Sequence, residues 1–198
     1  MKIEYYYALP SPFAYLGSLK LQSIAKEYNA EIIEKPCDLV GGIFVKTGGV
    51  PVPQRSPQRQ KYRLDEIKRW SEFLKIEINI KPKFFPPKDP HLPARFTIAA
   101  NLLDIKVVFG HEILKQLWSE EKDISDIKNI EKISDSFKID FKELSTLANS
   151  EKVSKIYTDN TLEAIKKNVF GAPTYIYNNE LFWGQDRLEF LERALKNA

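Results

Sequence analysis

The sequence predicts an α/β protein in which a β-α-β unit at one end and a β-β-α unit at the other bracket a large helical insertion. Three observations carry that prediction. Strand-like runs of apolar and aromatic residues lie near the two ends of the 198-residue chain. The first run meets a Pro-rich breaker and the last a glycine, and a helical pattern follows each. The roughly 100 residues between the two units read as short helices.

Residues 2–8, KIEYYYA, are aromatic and β-branched enough for a strand. Leu9-Pro10-Ser11-Pro12 breaks that strand and starts a helix, with Ser11 suited to the N-cap and Pro12 to the first helical position. Leu21, Ile24, Ala25 and Tyr28 then recur at helical spacing. Residues 31–35, EIIEK, read as a second strand that Pro36 ends. A strand–helix–strand unit implies a parallel pair joined by a right-handed crossover. Residues 41–57 read as a loop rich in Gly, Pro and Val, and Ser56 to Leu74 as a helix with Tyr62, Ile67, Trp70 and Leu74 inward.

Residues 81–93 hold five prolines and form an extended connector. From Leu92 to Asn168 the chain reads as several short helices, among them FTIAANLL, EILKQLW, IKNIEKI and FKELSTLA. Asp123, Ser125, Asp140, Ser150 and Asp159 are caps or breaks between them. The end returns to β structure, with a strand over 174–177, an Asn178-Asn179 turn and a strand over 180–183. Gly184-Gln185-Asp186 opens a final helix that carries Leu188, Leu191 and Leu195 on one face. The whole is the thioredoxin plan: a core of residues 1–55 and 169–198, and a helical insertion domain over 56–168.

Composition excludes several functions. The apolar fraction of 43% allows a sizeable core. Net charge is +3, with lysines and acids interspersed, so no nucleic-acid partner is expected. Cys37 is the single cysteine, which forbids an internal disulfide or a Cys-rich metal site and fits a reducing, cytoplasmic compartment. No signal peptide is read at the N-terminus, and no run approaches the ~18 apolar residues needed to span a bilayer, so no membrane partner is expected. His91 and His111 stand 20 residues apart with no cysteine cluster near them, so no metal is expected.

Three segments carry candidate chemistry. Ser11-Pro12-Phe13-Ala14 occupies the strand-to-helix junction where thioredoxin-like oxidoreductases place Cys-x-x-Cys. Neither Ser11 nor Ala14 forms a disulfide, so dithiol exchange cannot run here. What remains is a helix N-terminus with orphan N–H groups and a positive dipole end, where a bound thiolate is stabilised and a serine hydroxyl adds a hydrogen bond. Ser-Pro is equally an ordinary helix start. Gly171-Ala172-Pro173 invites a cis peptide just before a strand, which presents the Ala172 backbone beside the first helix; the alternative is an ordinary turn. Gly184-Gln185-Asp186 offers main-chain N–H groups for a carboxylate and Asp186 for an ammonium, or Asp186 simply caps its own helix.

The stretches YYYALPSPFAYLGS, YRLDEIKRW and VFGAPTYIYNNELFWGQDRLEFLERAL together resemble the 2-hydroxychromene-2-carboxylate isomerase family, sister to the kappa-class glutathione transferases in the DsbA-like branch of the thioredoxin fold. That resemblance implies glutathione held between core and insertion. It implies that Ser11 contacts the glutathione sulfur, that Ala172 and Pro173 grip its backbone, and that Gln185 and Asp186 meet its γ-glutamyl group. Arg59 falls where the family tends to carry a lysine near the active site. The chain departs from the family at Thr47-Gly48-Gly49-Val50-Pro51, where a Gly-Asn is usual and the Asn contacts glutathione. Dimers are frequent among similar proteins, which makes a homodimer an expectation.

The resemblance also implies a reaction: reversible thiolate addition to a conjugated aromatic carboxylate, rotation and elimination. Ser11 then activates the thiolate rather than attacking the substrate. Arg59 or Arg95 suits a carboxylate. Phe13, Tyr15, Phe84 and Phe85 are candidates for an apolar ring pocket. Three other readings stand beside it: a kappa-type transferase or peroxidase, a non-catalytic thiol-binding protein, and, weakest, a dithiol oxidoreductase.

Overall fold

The computed structural model describes residues 1–105 and 108–198. The first strand, β1 (Lys2–Tyr7), runs through the middle of the sheet, and its aromatic side chains go to both sides. The first helix, α1 (Pro12–Glu27), returns the chain to β2 (Glu31–Pro36), which pairs parallel with β1. At the other end β3 (Thr174–Tyr177) pairs antiparallel with β1, and β4 (Glu180–Trp183) pairs antiparallel with β3. Among the described residues the sheet has four strands in the order β2-β1-β3-β4. The sequence-derived thioredoxin-like plan is therefore the observed fold.

Because β1 is central, its period-2 alternation buries residues on both faces. On one face Tyr5 stacks on Tyr7 with ring centroids 4.2 Å apart and on Tyr175 at 5.4 Å. That face joins a large core that includes Phe96, Phe109, Trp118 and Val153 from the helices. On the other face Tyr6 packs with Cys37, Ile43, Ala164, Val169 and Ile176.

The hairpin turn is set by Asn178 and Asn179, both at positive φ (48° and 64°), the backbone a tight two-residue loop requires. Gly17, in α1, marks a close approach. A Cβ there would stand 2.8 Å from both Gln185 Cβ and Tyr175 Oη, so glycine lets the turn before the last helix press onto α1.

Between β2 and β3 lie α2 (Phe44–Thr47), α3 (Pro57–Leu74), α4 (His91–Leu102), α5 (Val108–Trp118), α6 (Ile127–Ser136), α7 (Phe141–Ala148) and α8 (Glu151–Lys166). The last helix is α9 (Leu188–Lys196). Asp140 and Ser150 cap α7 and α8 as expected. Asp126, rather than Asp123 or Ser125, caps α6, and Asp159 lies inside α8 instead of breaking it. The expected loop over 41–57 is partly ordered: a wide helical turn at Leu39–Ile43 leads into α2, and Val52–Gln54 form a tight turn.

On α3, Ile67 is buried as expected, but Tyr62 is 60% exposed and Arg63 faces inward. The guanidinium of Arg63 lies over the rings of Phe85 and Trp118, at 4.9 and 5.7 Å from their centroids. Stacking of this kind lets an arginine occupy an apolar face that pattern reading reserves for hydrophobic side chains.

Candidate active site

The α1 N-terminus opens onto a cavity of about 420 Å³. Its floor is the β1–α1 connection and the first turn of α1, from Ala8 to Phe13. The segment after β2, α2 and the Gly48–Val52 turn close one side, while Phe170, Gly171, Ala172 and Trp183 close another. Arg55, just before α3, and Arg59 and Arg63, on its first two turns, join the lining, and Phe85, Pro90, Ala94 and Tyr157 complete the wall. The lining is mostly apolar with a few convergent polar groups, the usual make-up of a small-molecule site.

Ser11 is the N-cap of α1. Its Oγ accepts from the Ala14 N–H at 3.2 Å, and the Tyr15 N–H bonds the Ser11 carbonyl at 3.2 Å. Pro12 has no N–H to offer. The Phe13 N–H is thus left without an acceptor among the described residues, at the positive end of the helix dipole and in the cavity wall. The Ser11 hydroxyl spends its own proton on the Ala172 carbonyl at 3.4 Å, a long bond. The Ala172–Pro173 peptide is cis, as the Gly-Ala-Pro segment invited. Pro173 is anchored behind it by the Gly184 N–H, which donates to the Pro173 carbonyl at 2.9 Å.

Positive charge predominates in the cavity, which three arginines and one carboxylate, Asp38, line. Arg55, Arg59 and Arg63 share the wall, and among the described residues none of them pairs with a carboxylate. Arg55 Nε donates to the Val50 carbonyl at 2.8 Å, which ties the start of α3 to the preceding turn. Burial lowers the pKa of Arg63 to about 10, with the neighbouring Arg55 charge adding to it. Burial also lowers Arg55, with Arg59 adding to it. Positive charge that is partly desolvated and uncompensated favours an anionic ligand.

Of the sequence-derived candidates, Ser11, Phe13, Arg59, Ala172 and Phe85 line the cavity together. Tyr15 and Phe84 do not. Tyr15 is buried in the core with its hydroxyl donating to the Glu77 carbonyl at 3.2 Å, and Phe84 packs against the same core. Gln185 is buried beneath Gly17, and Asp186 is exposed, with an Arg187 contact at 2.8 Å and no capping bond to α9. Arg95 reaches Asp89 at 3.9 Å and takes no part in the wall. Cys37 lines the cavity, but its thiol faces the Tyr7 carbonyl, and burial pushes its pKa to about 12, so it is no nucleophile at neutral pH. Sequence reasoning missed Arg55, Arg63 and Tyr157. The spacing of Arg59 and Arg63, one helical turn apart on α3, was the available signal for the second of these.

A central β-α-β and β-β-α sheet, a helix N-terminus at its edge and a cis-proline opposite define a thioredoxin-like protein. The match of residues 2–196 to the DSBA-like thioredoxin domain model is more specific, and the chain belongs to that family. Three curated relatives, all called 2-hydroxychromene-2-carboxylate isomerase, agree with the resemblance read from the motifs. They are 23% identical in Sphingobium xenophagum (98% of this chain, 97% of the relative), 24% in Pseudomonas sp. strain C18 (99% and 91%) and 26% in Pseudomonas putida (98% and 94%). Among solved structures, a 2-hydroxychromene-2-carboxylate isomerase superposes with a TM-score of 0.82 at 23% identity, covering 100% of this chain and 95% of that one. The cytosolic disulfide reductase DsbM of Pseudomonas aeruginosa superposes at 0.70 with 16% identity, each chain fully covered. Among the described residues no helix is long and apolar enough to cross a membrane, and no cluster of potential metal ligands occurs.

Proposed function

We propose that this chain is a glutathione-dependent isomerase of conjugated aromatic carboxylates, of the kind its relatives' name describes. The observation that carries the reading is Ser11. A hydroxyl stands at the α1 N-terminus, on a cavity wall, where a redox cysteine would sit, and its proton is held only by a long bond to the Ala172 carbonyl. The residues fit a thiol tripeptide. The free Phe13 N–H and the Ser11 hydroxyl suit an anionic sulfur, and the cavity volume lies within the range of small-ligand sites.

Bound glutathione supplies a sulfur nucleophile whose reversible addition turns a conjugated double bond into a rotatable single one. The chain's own residues do the rest. Ser11 turns its O–H from Ala172 to the sulfur and, with the Phe13 N–H and the helix dipole, favours the thiolate over the thiol. Arg59 and Arg63 take the substrate carboxylate, and Phe13, Phe85 and Phe170 cover the aromatic ring and exclude water. The lone cysteine, buried and weakly acidic, leaves dithiol chemistry without a second thiol.

The test is to follow a chromene carboxylate spectrophotometrically with the pure protein, with and without glutathione. Conversion only with glutathione is the expected result. Rapid conjugation of chlorodinitrobenzene with no isomerisation would move the assignment to a transferase. No heat on titrating glutathione would leave only a scaffold.

A further inference from the structure

A polar pair, Tyr157 and His91, stands at the cavity wall outside the proposed thiolate and carboxylate contacts. Tyr157, on α8, contributes to the wall, and its hydroxyl lies 3.1 Å from His91 Nδ1. The His91 and Tyr157 rings meet edge-on, with centroids 5.8 Å apart. The histidine is held firmly. Asp89 Oδ1 accepts from the backbone N–H groups of His91 at 2.8 Å and Leu92 at 3.1 Å, which fixes the main chain at the start of α4. The Asp89 N–H is in turn bonded to Ser125 Oγ at 2.9 Å. Pro90 and Ala94, on either side of His91, line the cavity with Tyr157, so His91 stands on a helix just behind the wall. A phenol on a largely apolar wall, hydrogen-bonded to an imidazole behind it, is set to move a proton.

We propose that the Tyr157 hydroxyl, backed by His91 Nδ1, is the proton donor to the ring oxygen released when a cyclic hemiketal substrate opens. The proposal rests on the isomerase reading of the cavity and adds a catalytic residue to it. A 2-hydroxychromene-2-carboxylate is a cyclic hemiketal: one carbon carries a hydroxyl, a carboxylate and the ring oxygen. Opening breaks the bond from that carbon to the ring oxygen, whose electron pair leaves with the oxygen as a phenoxide. The phenoxide takes the proton of Tyr157. The hemiketal hydroxyl loses its own proton to water as its oxygen becomes a ketone, and Tyr157 regains a proton from water through His91. One proton leaves the substrate and one arrives, so the step balances without a co-reactant. Burial holds the Tyr157 phenol well above the usual tyrosine range, so it enters the step protonated and gives up its proton only as His91 supplies another to its oxygen.

The experiment compares two substrates with the full-length protein and glutathione. One is the cyclic chromene carboxylate. The other is a cis-benzylidenepyruvate whose ortho oxygen is methylated, so that it needs rotation but no ring opening. Tyr157→Phe should lower kcat on the cyclic substrate about 100-fold, with KM little changed, and leave the methylated one within about 3-fold. His91→Gln should fall in the same direction on the cyclic substrate alone, and this variant decides the matter if Tyr157→Phe melts early. Glutathione affinity by calorimetry should not move in either variant. Equal losses on both substrates, or no loss on the cyclic one, overturn the proposal, as does a wild-type protein that handles only the methylated substrate. A wild-type protein that converts neither substrate and binds no glutathione overturns the isomerase reading, and this proposal with it.

Discussion

Ser11→Ala separates the two jobs of the Ser11 hydroxyl. As an acceptor it caps the Ala14 N–H at 3.2 Å, and losing an N-cap costs about 1 kcal/mol. For a chain of this size that is a fall in Tm of about 2–4 °C. As a donor it bonds the Ala172 carbonyl at 3.4 Å, near the outer limit for a hydrogen bond, so redirecting the proton to a bound sulfur costs little. A hydrogen bond to a charged partner contributes about 1.5–3 kcal/mol, which at 1.36 kcal/mol per unit is about one to two pKa units. The alanine variant should therefore bind glutathione with its thiol pKa raised by about one to two units, and isomerise about 10- to 100-fold more slowly at neutral pH. Thiolate absorbance titrated with protein in excess reads the first effect, and a thermal melt reads the cap. If Tm falls as expected while the bound thiol titrates where it does in the wild type, Ser11 is a helix cap and the sulfur is activated by something else.

Three further outcomes follow from the same geometry. Arg63→Met keeps the contact with Phe85 and Trp118 but removes an uncompensated charge; KM for an aromatic carboxylate should rise about 10- to 100-fold with kcat nearly unchanged, and the thermal stabilisation that the carboxylate gives the wild type should vanish. Cys37→Ala should leave glutathione-dependent turnover intact; in the wild type the thiol, raised from 9.0 to about 12, protects stability below pH 9 and loses that contribution as pH climbs from 9 toward 12, which denaturant midpoints across that window measure. His111 shares a 2.7 Å hydrogen bond with Ser18 Oγ, and burial depresses its pKa below 6.5; the unfolded chain binds the proton more readily, so stability should be full above 6.5 and drop as pH falls through the folded value, and His111→Gln should flatten that drop in denaturant titrations.

Much of this site was legible before any coordinates. Ser11-Pro12 marked a helix start because a hydroxyl cap and a proline at the first position are local chemistry, and the cap is made within three residues. Gly-Ala-Pro before a strand invited a cis peptide but left an ordinary turn equally open, and the structure decided for cis. The errors came where packing overruled pattern. Tyr62 was read as inward, yet it is exposed and Arg63 turns in instead, because Phe85 and Trp118, from distant parts of the chain, present ring faces that receive a guanidinium. The loop over 41–57 gained helical turns that its glycines concealed. In that segment Asp38 Oδ1 accepts from the Gly41 N–H and the Asp38 N–H reaches Thr161 on α8, contacts set by tertiary position.

What the sequence determined by itself is the order and type of the elements at the two ends, the absence of a redox pair at position 11, and the helix end that replaces it. These depend on interactions within a few residues, which composition and spacing encode directly. Only the tertiary structure decided that Arg55, Arg59 and Arg63 face the cavity with no ion-pair partner among the described residues, that Tyr157 meets His91, and that Gln185 and Asp186 do not line the cavity. Tyr157 and His91 are 66 positions apart, and the arginines reach a cavity whose lining runs from Ala8 to Trp183. The chain brings them together only because burying the two faces of β1 forces the helices to fold back over it.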